Sequence, residues 1–126
     1  MSSLSAVLHY VSIRVSELER SGSFYDSLLG PLGWRRQTED SESIGWGLVK
    51  PVFFISNREA PHPGFGQVSF RANSIPAVKA SFEAGMENGG SSVAEPSSPP
   101  SHGSGNYAAR LSDPDGYEVQ VAVAPD

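Results

Sequence analysis

Cysteine is absent from the chain, which excludes disulfides, thiolate nucleophiles and cysteine-ligated zinc. Basic residues are few: nine Lys and Arg stand against fourteen Asp and Glu, for a formal net charge of −5. With no run of cations to follow a phosphate backbone, nucleic acid is not an expected partner. No stretch approaches the roughly 20 apolar residues of a membrane span. The first residues, MSSLSAVLHYV, have neither the basic start nor the apolar length of a signal peptide. A cytoplasmic protein without membrane association is expected.

What is present suits one folded domain. The 126 residues are 38% hydrophobic and 10% aromatic, and only 18% are charged, enough for one core and too little charge for a solvated disordered chain. Residues 10–15 (YVSIRV) alternate polar and apolar in the manner of a half-buried strand. Ser16-Glu17-Leu18-Glu19 then reads as a capping box opening a helix over 16–29, with Leu18, Tyr25, Leu28 and Leu29 as its apolar stripe and Gly30-Pro31 and Gly33 as its stop.

The stretch YVSIRVSEL from Tyr10 is echoed by QVSFRANSI from Gln67: Val11 matches Val68, Ser12 Ser69, Ile13 Phe70 and Arg14 Arg71. A second helix is expected over 75–88, with Ile75, Val78, Phe82 and Met86 as its stripe and Gly89-Gly90 as its end. Short strands are expected over 33–36, 43–48 and 52–55 after the first helix, and over 92–93, 107–112 and 117–123 after the second. The order strand, helix, three strands thus occurs twice, which indicates an internal duplication. Module one spans 7–56, a loop 57–66, and module two 67–124. The segment 94–106 is mostly Pro, Ser and Gly and is expected to be a loop able to close over a site as a lid.

Three stretches, VSIRVSELERSGSFYDSLLGPLGW, GQVSFRANSIPAVKASFEAG and YAARLSDPDGYEVQV, resemble the vicinal oxygen chelate superfamily, which contains glyoxalase I, bleomycin-resistance proteins and extradiol dioxygenases. The resemblance covers essentially the whole chain, and the DPDG turn entering the last strand is its most specific part. It implies an α+β fold of two tandem βαβββ modules forming a curled mixed sheet around a cup. In metal-dependent members a His at the start of each module's first strand, and a Glu or similar residue on each module's last strand, line that cup. Carried over by position, these four ligands fall on Tyr10, Gln67, Phe54 and Gln120. Phenol, amide and phenyl groups are poor donors for zinc, nickel or iron, which favour imidazole and carboxylate. No cofactor is therefore expected, and no metal ligand; a divalent ion (Zn, Ni, Fe or Mn) would require a different register, with His9 as its candidate ligand.

Alternation places the polar residues of the first strands and of the final strand on one face; the resemblance makes that face the cup side and places Phe54 on it from the last strand of module one. Candidate ligand-binding residues are accordingly Tyr10, Ser12 and Phe54 in module one and Gln67, Ser69 and Gln120 in module two. The two serines supply room rather than a nucleophile, because no acid or histidine is placed to activate them. Arg14, Arg71 and Arg110 are candidates for holding a carboxylate or phosphate, or for forming duplicated structural ion pairs. His102, in the 94–106 segment, is a further candidate contact, whereas His62, between two prolines, is expected to be exposed. Glu118 and Tyr10 are the candidate acid–base groups, Glu118 only if the cup desolvates it. Trp34, Trp46, Phe53, Phe54, Phe65 and Tyr107 supply aromatic bulk, most of it expected in the core, and any that face the cup suit a flat or partly aromatic ligand.

Three functional readings follow from the resemblance. The first is a metal-free protein that holds a small organic molecule, as in the bleomycin-resistance branch. The second is a metal-independent isomerase using Tyr10, Gln67, Gln120 and Glu118. The third is a metal-dependent lyase or dioxygenase. Superfamily members often pair modules across a subunit interface, so a homodimer is an expectation, although one chain already contains both modules.

Overall fold

In the computed structural model, which describes residues 8–64, 66–98 and 106–123, each module begins with a short strand whose alternate residues point to opposite faces. In module one these elements are β1 (Val11–Arg14), α1 (Leu18–Leu29), a 3-10 turn (Gly30–Leu32), β2 (Arg35–Glu39), β3 (Ser43–Gly47) and β4 (Phe53–Ser56). Module two repeats them as β5 (Gln67–Arg71), α2 (Ile75–Glu87), β6 (Ser91–Ser97), β7 (Tyr107–Ser112) and β8 (Glu118–Val123). The sheets run β1-β4-β3-β2 and β5-β8-β7-β6. In both, the first strand pairs in parallel with the last, and the remaining pairs are antiparallel. This is the α+β, twice-repeated architecture expected from the sequence, with two curled sheets that do not close on one another.

One core serves both halves. Val15, Phe24, Tyr25, Ile44, Trp46, Phe53 and Ile55 of module one join Phe70, Val78, Leu111, Val119 and Val121 of module two in a single buried cluster. Phe53 and Phe70 meet edge to face at 5.1 Å, the favoured geometry for aromatic pairs. The helices pack together where side chains are small: Ser81 Oγ donates to the Leu28 carbonyl at 2.5 Å. A Cβ on Gly85 would lie 3.1 Å from both Leu28 and Leu111. No helix among the described residues is long and apolar enough to cross a membrane.

Three expectations are corrected. The stripe of α2 is Val78, Ser81 and Gly85, while Ile75 and Met86 are 43% and 37% exposed; close contact with α1 selects small residues over large apolar ones. Residues 94–97 of the supposed lid belong to β6, pairing with β7 through Ala94↔Arg110 and Ser97↔Ala108. An edge strand tolerates Pro96 at a register irregularity, so its Pro and Ser content misled; residues 99–105, including His102, lie outside the described residues.

The capping box does not form: α1 starts at Leu18 with no side-chain cap from Glu17. Ser16 instead turns to the β7–β8 turn of module two. Its N–H donates to Asp115 Oδ2 at 3.0 Å and its hydroxyl to Asp115 Oδ1 at 2.6 Å, and Arg20 donates to Oδ1 at 3.0 Å. A carboxylate at a helix amino end gains both charge-assisted bonds and the favourable dipole, which outcompetes a neutral hydroxyl box.

The same turn anchors a second contact. Tyr25 donates its phenolic hydrogen to Asp113 Oδ2 at 2.7 Å, while Asp113 Oδ1 accepts the backbone N–H groups of Asp115 and Tyr117, both at 2.9 Å. Burial pushes the Asp113 carboxyl above its ordinary range, against the pull of these hydrogen bonds. Burial, reinforced by the neighbouring Asp113 charge, holds the Tyr25 phenol well above its ordinary value.

Two measurements test the turn. Asp115→Ala should lower unfolding free energy by about 1–3 kcal/mol, whereas Glu19→Ala should change it by less than about 0.5 kcal/mol, both read from denaturant midpoints. Because the folded-state pKa of Asp113 is raised, its favourable contribution is complete below the ordinary aspartate range and is lost as pH rises through the raised value. Relative to Asp113→Asn, the native protein should therefore lose stability as pH rises through that window; midpoints that diverge in the opposite sense would contradict the assignment.

Candidate functional site

Pairing register fixes which side chains leave the core. In module one Val11, Ile13, Phe53 and Ile55 point inward, so Tyr10, Ser12, Phe54 and Ser56 occupy the opposite face. The rings of Tyr10 and Phe54 meet edge to face at 5.3 Å. They form a shallow pocket of about 340 Å3 with Ser12, Ser43, Ser56 and Arg58, and the Arg58 guanidinium at its rim is paired with Glu42 at 3.0 Å. Gly45 faces Phe54 across the sheet. A Cβ there would fall 2.6 Å from the Phe54 ring, so glycine lets that ring lie against the strand.

The matching face of module two is polar. Gln67, Ser69 and Arg71 on β5 stand beside Glu118 and Gln120 on β8, with Arg110 on β7 opposite Gln120. Gln120 Nε2 donates to Ser69 Oγ at 3.0 Å. Arg110 donates to Glu118 at 3.1 Å, with both side chains more than half buried.

Ser12 pairs with Phe54 in one module as Ser69 pairs with Gln120 in the other. Phe54 and Gln120 are therefore equivalent positions, as Tyr10 and Gln67 are by sequence. Between the sheets, strands β1 and β5 form a seam. Tyr10 lines a pocket of about 160 Å3 there with Ser69 and Phe70, whereas Gln67 lines one of about 250 Å3 with Ile13, Tyr25, Tyr117 and Glu118. The strands thus run antiparallel across the seam, and Tyr10 and Gln67 stand at opposite ends of it.

Among the described residues no group of three or more His, Cys, Asp or Glu is placed to hold a metal ion. A phenol, a phenyl and two carboxamides at Tyr10, Phe54, Gln67 and Gln120 do not fit the donor set of catalytic zinc, nickel or iron. His9 is exposed, with its ring 5.0 Å from that of Tyr10. Arg14 is exposed and paired with Glu59 at 2.8 Å; Arg71 is exposed at the end of β5. His62 is exposed, and its backbone N–H donates to the Tyr117 hydroxyl at 2.8 Å. Phe65 lies outside the described residues. Ser43, Ser56 and Arg58 were not anticipated as lining residues; counting two positions on from Phe54 would have found Ser56, but Ser43 comes from the register of a neighbouring strand.

A family model for the Glyoxalase/Bleomycin resistance protein/Dioxygenase superfamily matches residues 7–121. The chain belongs to this superfamily. Similar proteins set it in context. An uncharacterized protein of Bacillus subtilis (strain 168), YqjT, is 28% identical over 129 residues, covering 94% of this chain and 98% of that protein. The crystal structure of a glyoxalase/bleomycin resistance protein from Albidiferax ferrireducens T118 superposes with a TM-score of 0.84 at 27% identity, covering 95% of this chain and 100% of the other. The fosfomycin resistance protein FosX from Mesorhizobium loti shares the fold, with a TM-score of 0.70 at 12% identity over 95% of this chain and 93% of its own.

Within this superfamily member, the Arg110–Glu118 pair retains access to solvent, so its contribution to stability should be small. A double-mutant cycle with Arg110→Ala and Glu118→Ala should give a coupling of about 0.2–1 kcal/mol, read from chemical unfolding.

Proposed function

We propose that this member of the glyoxalase/bleomycin resistance/dioxygenase superfamily binds a small organic molecule against its concave faces without a resident transition metal. The observation that carries the reading is the pairing of equivalent positions: Tyr10 with Phe54 on one face, and Gln67, Ser69 and Gln120 on the other. Rings and amides at these positions provide stacking surface and directional hydrogen bonds, the means by which pockets orient uncharged or weakly charged ligands. Arg110, held by Glu118, stands beside Gln120 and adds a donor for an acidic group on the ligand.

A homodimer belongs to the same proposal. Tyr10 is 51% exposed, and each face is one side of a cup. A second copy placing its aromatic face over the polar face of the first would enclose a ligand between a stacking surface and a hydrogen-bonding one. The site of action in this reading is the cytoplasm.

Titration with small aromatic acids and peptide-like compounds, followed by tryptophan fluorescence, should give saturable binding. Gln120→Ala should weaken it by about tenfold, the equivalent of roughly 1.4 kcal/mol for one lost hydrogen bond. Elemental analysis of the purified protein should find well under one equivalent of metal; near-stoichiometric nickel, zinc or iron would overturn the proposal.

A further inference from the structure

The duplication has built the same pocket twice, at the two ends of the β1/β5 seam. Val11 pairs with Phe53 as Val68 pairs with Val119, so Phe53 is equivalent to Val119 and Val52 to Glu118. Tyr10 is equivalent to Gln67 and Ile13 to Phe70 by the sequence repeat. One seam pocket is lined by Gln67, Val68, Glu118, Val119 and Ile13, and the other by Tyr10, Val11, Val52, Phe53 and Phe70. The backbone plan is common and the chemistry is not. Where one pocket presents an amide and a carboxylate, the other presents a phenol ring and a valine, and Trp34 completes its wall.

From this divergence we infer that the second seam pocket is a binding site for a single aromatic ring bearing a neutral oxygen substituent, a ligand of the simple phenol class. Its volume, about 160 Å3, is close to that of an engineered apolar cavity of about 150 Å3 that accepts benzene in another protein; a fused two-ring system is too large. Its walls are aromatic edges and faces already set in perpendicular arrays: Trp34 meets Phe70 at 5.7 Å and 83°, and Phe70 meets Phe53 at 5.1 Å and 88°. A further ring entering beside them continues the edge-to-face packing that aromatic quadrupoles prefer.

The pocket's polar side chains are His9, Tyr10 and Ser69, and the one fixed by a neighbour is Ser69. Its oxygen accepts from Gln120 Nε2 at 3.0 Å, which leaves its hydroxyl hydrogen to donate to an oxygen on the ligand. No Lys or Arg lines this pocket, and its one imidazole, His9, is exposed, so a carboxylate set against Trp34 and Phe70 would be desolvated without a buried countercharge beside it. That selects the neutral hydroxyl over the acid.

The inference rests on the ligand-binding proposal and deepens it. The test uses the full chain with 4-fluorophenol, observed by fluorine NMR and by Trp34 emission. Saturable binding is expected, with 4-fluorobenzoate and 2-naphthol each at least tenfold weaker. Val52→Phe, which fills the pocket, should abolish the 4-fluorophenol response. Ser69→Ala, an exposed position suited to the case in which Val52→Phe does not fold, should weaken 4-fluorophenol several-fold and leave fluorobenzene unchanged. Equal or tighter binding of 4-fluorobenzoate or 2-naphthol, or an unaltered response in folded Val52→Phe, overturns the inference. Absence of 4-fluorophenol binding while aromatic acids still bind in a Gln120-dependent manner rejects this pocket alone; absence of all saturable binding rejects the ligand-binding proposal with it.

Discussion

Two carboxylates on one tight turn hold the halves of this protein in register. Asp115 receives the Ser16 N–H and hydroxyl together with the Arg20 guanidinium, and Asp113 receives the buried hydroxyl of Tyr25. All three donor residues belong to module one and both acceptors to module two. Gly116, at φ 95°, lets the chain reverse between them and enter β8, a backbone conformation that a residue with a Cβ adopts only with strain. The cost of burying Asp113 is offset only in part by three hydrogen bonds, one of them from a side chain of the other module. Because β8 leaves this turn directly and pairs with β5, the placement of Glu118, Gln120, Gln67 and Ser69 inherits the geometry of the clasp.

Superfamily membership establishes the scaffold, and the side chains determine what the scaffold can do. The two modules share strand order and the parallel pairing of first with last strand, yet one presents rings where the other presents amides and an ion pair. A duplicated backbone carrying divergent side chains produces a molecule with unlike faces, one suited to stacking and one to hydrogen bonding. Tyr10 and Phe54 place rings where the equivalent positions of module two, Gln67 and Gln120, place amides.

Much of the fold was legible because it depends on periodicity. Alternation in YVSIRV and QVSFR located the first strand of each module, and alternation also set Tyr10, Ser12, Gln67, Ser69 and Gln120 on one side of their sheets, while Phe54 was placed by the family resemblance. Failures came where a distant partner overrides a local pattern. Ser16 and Glu19 form a sound capping box by themselves, but an acceptor 99 residues from Ser16 takes the serine. Met86 lies on the expected stripe of α2, but the neighbouring helix approaches at Ser81 and Gly85 and leaves it outside. Likewise, no local signal tells that β1 and β5 run antiparallel across an open seam, which separates Tyr10 from Gln67 and creates the two unlike pockets.

The outer strands β2 and β6 leave backbone donors and acceptors open at the far edges of the sheets. Such edges template the addition of strands from other molecules. Here β2 reads RRQTE and is irregular between Arg36 and Thr38, and β6 carries Pro96 within a second irregular stretch. Charge on one rim, and a missing amide hydrogen on the other, work against runaway fibril-like stacking at these borders.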